Sequence, residues 1–427
     1  MSGQANIPAA ATNLASVAIG QVHVVVAKND GTVLNWGHNG YGQLATPAGL
    51  SNVMALAAGY CNTLALCSNG TVVAWGDDTY GISTPPPGLT NVAAIAAGPN
   101  RSLALQADGT LVAWGFDNGL PSGLSHLVAI ARQNLAVQTD GAVIQWGFNS
   151  GDVTNTVVGP PASLAYATAI AAGQAHYIGL NVDGTVIGWG YNYVGQLNIP
   201  PGLSNVVAIA AGNVHTLALV ADGSVVAWGD NSAGQCDVPA GLTNVIAVAA
   251  GGYTSAALVG DGPPSVTLQP FSQSALAGSS VQLHARAAGI PPLTFQWQKG
   301  ETDLPGATQA SLILTDVSRA DSGSYRSVVT GAVGETMSTP ATLLVRSPQR
   351  LCAGQVLSDG SFTATSSDAG ENSISAADLP RFEVQSSTDL VNWISLSDAL
   401  SLTNGVLLLR DPTAAGRANC FYRIFEY

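Results

Sequence analysis

A unit of about 39 residues recurs through residues 1–262 with its glycines and tryptophans in phase. The hairpin glycines Gly31, Gly70, Gly109, Gly141, Gly184 and Gly223 are separated by 39, 39, 32, 43 and 39 residues, and Trp36, Trp75, Trp114, Trp146, Trp189 and Trp228 follow them at a constant offset. A unit this short cannot bury its own apolar face, so successive copies must stack on one another. The fullest copy, residues 205–243, reads NVVAIAAGNVHTLALVADGSVVAWGDNSAGQCDVPAGLT. NVVAIAA and HTLALVA are short apolar strands. Asp-Gly is a tight turn, expected as type I′ with positive φ at both residues. VVAWG is a third strand, and GQxxxP a short fourth one at the edge, where Pro is tolerated. Four short strands per copy is the content of one β-propeller blade. Helical periodicity is missing, so the chain is expected to be all-β.

The ends of the repeat region carry their own message. A seventh copy starts at Asn244 and stops at Gly262, before its Trp-Gly strand, while SGQANIP at 2–8 matches AGQCDVP at 233–239. Residues 2–8 are therefore expected to pair as a strand with the blade built from residues 244–260. The missing strand implies an upstream segment that was removed or never built. Met1 is followed by neither a basic start nor an apolar core, so the chain as written shows no secretion signal.

Carried by AAGxxHTLAL, DGxVVAWG and WGxNxxGQ, the repeat resembles the regulator of chromosome condensation repeat family, whose fold is a seven-bladed β-propeller. The short blades ending in GQxxxP look most like the bacterial propeller-type β-lactamase inhibitor proteins. The family's chromatin-facing basic residues have no counterpart here, and neither does the clustered tryptophan motif of its plant photoreceptor members.

Composition narrows the function. Charged residues make up 9% of the chain, against about 25% in a typical soluble domain. The net charge is −13, and residues 1–260 hold only Lys28, Arg101 and Arg132 against eleven aspartates. That argues against nucleic acid and anionic membranes as partners, since both select a basic face. No apolar run is long enough for a membrane-spanning helix, so no membrane insertion is expected.

Beyond the propeller, residues 263–346 resemble a disulfide-free immunoglobulin-like sandwich: Trp297 lies in TFQWQKG, DSGSY ends at Tyr325, and Ala285 and Ser327 stand where the cysteine pair would be. Residues 347–427 alternate like strands and resemble a terminal β-module of multidomain bacterial surface proteins. The expected organisation is thus a propeller of about seven blades (1–262), an Ig-like sandwich (263–346) and a small C-terminal β domain (347–427). Cys352 and Cys420 flank that last module and are expected to form a disulfide, with Cys61, Cys67 and Cys236 free.

No catalytic set stands out: GxSxG and HExxH are both missing, and no cofactor is expected. His23, His176 and His215 share one repeat position that also accepts Asn62 and Arg101, which fits a hydrogen-bonding role at a strand start better than a metal site. The repeat tryptophans read as packing between blades, and Asp77, Asp78 and Asp230 as turn acids rather than calcium ligands. Site signals lie where repetition leaves freedom. Tyr41, Tyr80, Phe116, Phe148, Tyr191 and Tyr193 follow Trp-Gly in equivalent loops, hence on one rim. Arg101 and Arg132 accompany the irregular third and fourth copies, where insertions and deletions favour a binding face. The expected function is a non-catalytic extracellular bacterial binding or adhesion protein that offers this rim to a protein or glycan. Alternatives are a secreted inhibitor of the β-lactamase inhibitor kind and a polysaccharide-active enzyme, the latter using carboxylates that meet across the channel mouth.

Overall fold

Seven small antiparallel sheets follow one another along residues 14–259 in the computed structural model. The structure describes the chain except residues 1–2, 117–119, 122–123, 125, 133, 147–159, 165, 369–373, 397–398, 416, 418 and 427. Among the described residues there are only β-strands and four single 3-10 turns, so the chain is all-β. It divides into two compact units. The first is Met1–Gln269 with His284–Gln296 and Val328–Ser338, and the second is Pro270–Leu283, Trp297–Ser327 and Thr339–Tyr427.

In the first unit, six sheets have three strands each, as in Val206–Ala211, His215–Val220 and Val225–Gly229, and the seventh has two, Val245–Gly251 and Thr254–Val259. Each first strand packs on the first strand of the next sheet, and the seventh packs back on Leu14–Ile19 of the first, which closes a ring. The closing core is Ile19, Val24, Val26 and Ala249. Trp75, Trp114, Trp146 and Trp228 are buried, and Trp36 and Trp189 half-buried, so the tryptophans do pack between sheets.

Three local expectations need correcting. The GQxxxP segments are turns, so none of the sheets gains a fourth strand from them. The Asp-Gly turn is not type I′, because Gly31 has φ +76 while Asp30 is absent from the positive-φ residues. Gly31 N–H donates to Lys28 C=O at 2.9 Å, and the Asp30 carboxylate accepts from the Thr32 N–H at 2.9 Å. That is a type I turn ending in a left-handed glycine, and a Cβ on Gly31 would lie 2.7 Å from the Asn52 backbone of the next copy. Finally, residues 3–8 form a turn, not a strand. They still join the ring, because the Trp36 indole N–H donates to Gln4 C=O at 2.9 Å. Trp75 and Trp228 make the same bond to Gln43 and Gln196, each 32 residues upstream. Gln4 thus plays for the first sheet the part that each preceding copy plays for the others.

In the immunoglobulin-like stretch Trp297 and Tyr325 are buried, and Tyr325 O–H donates to Asp321 C=O at 2.7 Å, the corner that DSGSY implied. Ala285 and Ser327 are buried as well. The C-terminal stretch makes a four-stranded and a three-stranded sheet around Ala364, Val384, Leu409 and Ile424. Within this second unit the buried Arg319 guanidinium holds both oxygens of Asp368, at 2.9 and 2.8 Å, and also Glu426. The expected disulfide is not formed. Cys352 lies on the outer strand of the four-stranded sheet with its sulfur toward Arg350 C=O, whereas Cys420 precedes a strand of the other sheet and turns to Tyr422.

Candidate functional site

The loops after Trp-Gly owe their shape to two side chains of WGxNxxGQ. Asn39 Oδ1 accepts from Leu44 N–H and Gln43 Oε1 from Tyr41 N–H, both at 2.9 Å. Asn192 and Gln196 repeat the pair on Leu197 and Val194, and Asn231 and Gln235 on Cys236 and Ala233. Each clamp turns the backbone inward and leaves the residues between free to point out. His215 lies opposite Gly229 in the sheet, so strand-three ends and first-hairpin tips share one side of the ring.

On that side Tyr41, Tyr80, Phe116 and Tyr193 are more than half exposed, and Tyr191 is exposed at 41%. Tyr191 and Tyr193 stack with centroids 5.3 Å apart and planes at 19°. Tyr80 and Phe116, from adjacent copies, meet at 5.0 Å and 60°, so the aromatics form linked pairs rather than isolated rings. Tyr60 and Tyr253, at the hairpin tips, are each 49% exposed and join the same side; they sit outside the Trp-Gly loops, so the motif that marks the other aromatics does not mark them. Phe148 lies outside the described residues. Asp77 accepts from Thr79 N–H and O–H, Asp78 from Ser83 and Thr84, and Asp230 from Ser232 and Gln235, so these carboxylates hold their own turns.

Beneath this face runs a belt of buried polar bonds. His176 Nε2 meets Thr216 Oγ1 at 3.1 Å, and Thr216 donates on to Gln196 C=O, which also receives the Trp228 indole. His215, Ser255 and Gln235 C=O repeat the relay at 3.0 and 2.7 Å. Asn62, Ser102 and Ile82 C=O form a third version. Because each hydroxyl already donates to a carbonyl, His176 and His215 must carry their proton on Nε2. The His215 Nδ1 is a buried acceptor without a partner. Burial lowers the pKa of His23, His176 and His215 to about 4, with Arg132 adding to the effect at the latter two. Among the described residues no cluster of three metal-ligating side chains occurs.

Arg101 and Arg132 belong to this belt rather than to the rim. Arg101, at the histidine position, donates to Asn134 Oδ1 at 2.9 Å. Arg132 stands at the tip of the shortened fourth hairpin and reaches Ala172 C=O and, at 2.6 Å, Ala211 C=O. A side chain that touches the next two sheets at once lies inside the ring. Burial lowers its pKa to about 10, so it stays charged at neutral pH.

Comparison with known proteins agrees with this architecture. Residues 55–82, 167–196 and 206–235 match the regulator of chromosome condensation (RCC1) repeat, and residues 263–330 match an immunoglobulin domain. The chain therefore carries RCC1 repeats followed by an Ig-like domain, a combination that fits a binding protein. Endoglucanase C of Cellulomonas fimi is 35% identical over 86 residues, 19% of this chain and 8% of that enzyme, so the chain spans less than a tenth of this relative. Among solved structures, human WBSCR16 is 18% identical, covering 57% of this chain and 85% of that one, with a TM-score of 0.46. The ectodomain of the Physcomitrella patens receptor kinase CR4 is 19% identical over 70% and 86%, also at 0.46. The titin M3 domain is 29% identical over 19% and 95%, at 0.18.

Proposed function

We propose that this chain is a non-catalytic extracellular binding protein that offers the loop face of its repeat ring to a protein or glycan, a neutral glycan being favoured. The observation that carries the reading is the set of exposed aromatic pairs, Tyr191 with Tyr193 on a loop clamped by Asn192 and Gln196, and Tyr80 with Phe116, where Asp78 holds the Tyr80 turn. Aromatics give large contact area at low entropic cost and dominate many interfaces. Arg101 and Arg132 are bonded within the belt, so they do not make this face a basic one for an anionic ligand. The 86-residue likeness to an endoglucanase lends weight to sugar over protein. A panel of neutral oligosaccharides screened by calorimetry tests this. Tyr191→Ala with Tyr193→Ala should weaken any captured sugar by at least about 2 kcal/mol, a typical hot-spot loss, with the melting temperature unchanged. Unaltered affinity in that double variant and in Tyr80→Ala with Phe116→Ala would remove the loop face as the binding site.

A further inference from the structure

We propose that the Asn39–Gly40 pair, in the first of the loops after Trp-Gly, is a self-modifying site: the His38 imidazole drives closure of Gly40 N onto Asn39 Cγ, which converts Asn39 to aspartate or isoaspartate with loss of ammonia. Gly40 N–H, the nucleophile once its proton is gone, donates to His38 Nδ1 at 3.1 Å. Gln43 Nε2 lies 3.3 Å from the same nitrogen, and because Gln43 Oε1 accepts from Tyr41 N–H, its amide group faces His38 as a donor. Two donors on Nδ1 place the proton of the neutral ring on Nε2 and leave the Nδ1 lone pair aimed at the Gly40 proton. A Cβ on Gly40 would lie 2.4 Å from His38 Cε1, so only glycine lets the ring sit there. Asn39 Oδ1, the oxygen that gains charge when Cγ is attacked, accepts from Leu44 N–H at 2.9 Å, as from an oxyanion donor. Base, nucleophile and polarised carbonyl thus share one exposed loop.

The step balances with water as the sole co-reactant. The bond from Gly40 N to Asn39 Cγ forms, the Cγ–Nδ2 bond breaks, and the proton taken by His38 leaves on ammonia. Water then opens the succinimide, at Cγ to give aspartate or at the backbone carbonyl to give isoaspartate. The other described copies show why the first is singled out. Asn192 and Asn231 make the same clamp, but Tyr193 and Ser232 follow them, and a Cβ crowds the approach that glycine leaves open. Asn69 is followed by Gly70, yet Gly70 N–H donates to the Cys67 carbonyl at 2.9 Å, so a carbonyl and not a base receives its proton, and Asn69 Oδ1 is engaged by Thr71. The aspartate product is one the loop already accepts, since Asp78, at the equivalent position of the second copy, takes Ser83 N–H at 2.8 Å. Conversion to aspartate therefore keeps the clamp and adds a negative charge beside Tyr41, whether or not the loop face binds a glycan.

Incubation of the intact protein at neutral pH, sampled over time by peptide mapping and mass spectrometry, tests this. Asn39 should convert at least about tenfold faster than Asn69 in the folded protein, and faster than Asn39 of the same chain unfolded in urea, where both Asn-Gly pairs react alike. His38→Gln still accepts the Gly40 N–H but is a far weaker base. It should melt like the parent and slow conversion of Asn39 to the unfolded-chain rate or below. Conversion of Asn39 no faster than that of Asn69 in the folded parent, or an unchanged rate in His38→Gln, overturns the proposal.

Discussion

At the scale of single residues, a glycine and a histidine three positions apart join neighbouring sheets. A Cβ on Gly212 would sit 2.0 Å from His215 Cε1, and one on Gly173 would sit 2.1 Å from His176 Cε1, so the imidazole lies in the space that any other residue would fill. Tucked there, the ring reaches the hydroxyl of the next copy but gives up its water. This sets a pH dependence. In the unfolded chain these histidines titrate near 6.5, and in the fold near 4. Below pH 6.5 the unfolded state therefore binds more protons, and stability falls as pH drops toward 4, by roughly 3 kcal/mol per ring at the lower end. Thermal melts between pH 7 and pH 4 should show that decline. His215→Asn, which copies the side chain present at Asn62, should flatten part of it, and an unchanged slope would show that the ring is not the titrating group.

At the scale of the element, the repeating join is a tryptophan on one sheet and a carbonyl on the turn before it. Deleting residues 1–8 removes Gln4 C=O from Trp36 and leaves that indole without its acceptor. Calorimetry should show a lowered transition for the first unit, while Gln4→Ala, which keeps the carbonyl, should melt like the parent. Trp228→Ala strips a buried indole from its core and should cost about 3–5 kcal/mol. Much of this level was legible in the sequence, because a fixed period exposes residues doing the same job: the tryptophans, the histidine position, and the match of 2–8 to 233–239. What was not legible is which bonds the recurring and the irregular residues make. The Asn and Gln clamps that turn GQxxxP into a loop run from side chain to backbone inside one copy. Arg132 reads as a rim cation in sequence, yet at the tip of the shortened fourth hairpin its side chain reaches the Ala172 and Ala211 carbonyls. Cys352 and Cys420 flank one module in sequence but feed different sheets. The aromatic pairs were visible as positions, not as stacked partners, since their contacts depend on how each loop is clamped.

At the scale of the whole molecule, the second unit adds to its apolar core a buried charge cluster that has no counterpart in the repeats. Arg319 is buried between Asp368 and Glu426, and Glu426 also takes Arg381 at 2.5 Å. Removing one partner of a buried pair leaves the others uncompensated, so Arg319→Met should destabilise this unit by about 3–5 kcal/mol. A calorimetric transition of its own that falls while the repeat transition stays put would show it, and a joint shift of both would contradict it. The ring works differently, and its joins have a direction. In the regular copies a sheet lends an imidazole or amide forward, as His176 does to Thr216 and Asn62 to Ser102, and takes an indole from the sheet ahead on its turn carbonyl, as Gln43 and Gln196 do, so such a sheet has a leading and a trailing side. Stacking of this kind has no preferred number of members: adding or losing one whole copy leaves the chemistry of the remaining joins as it was and changes only the curvature needed to bring the last to the first. The repeat number of such a chain is therefore free to drift by duplication, whereas a partial copy leaves a raw side at whichever point it falls.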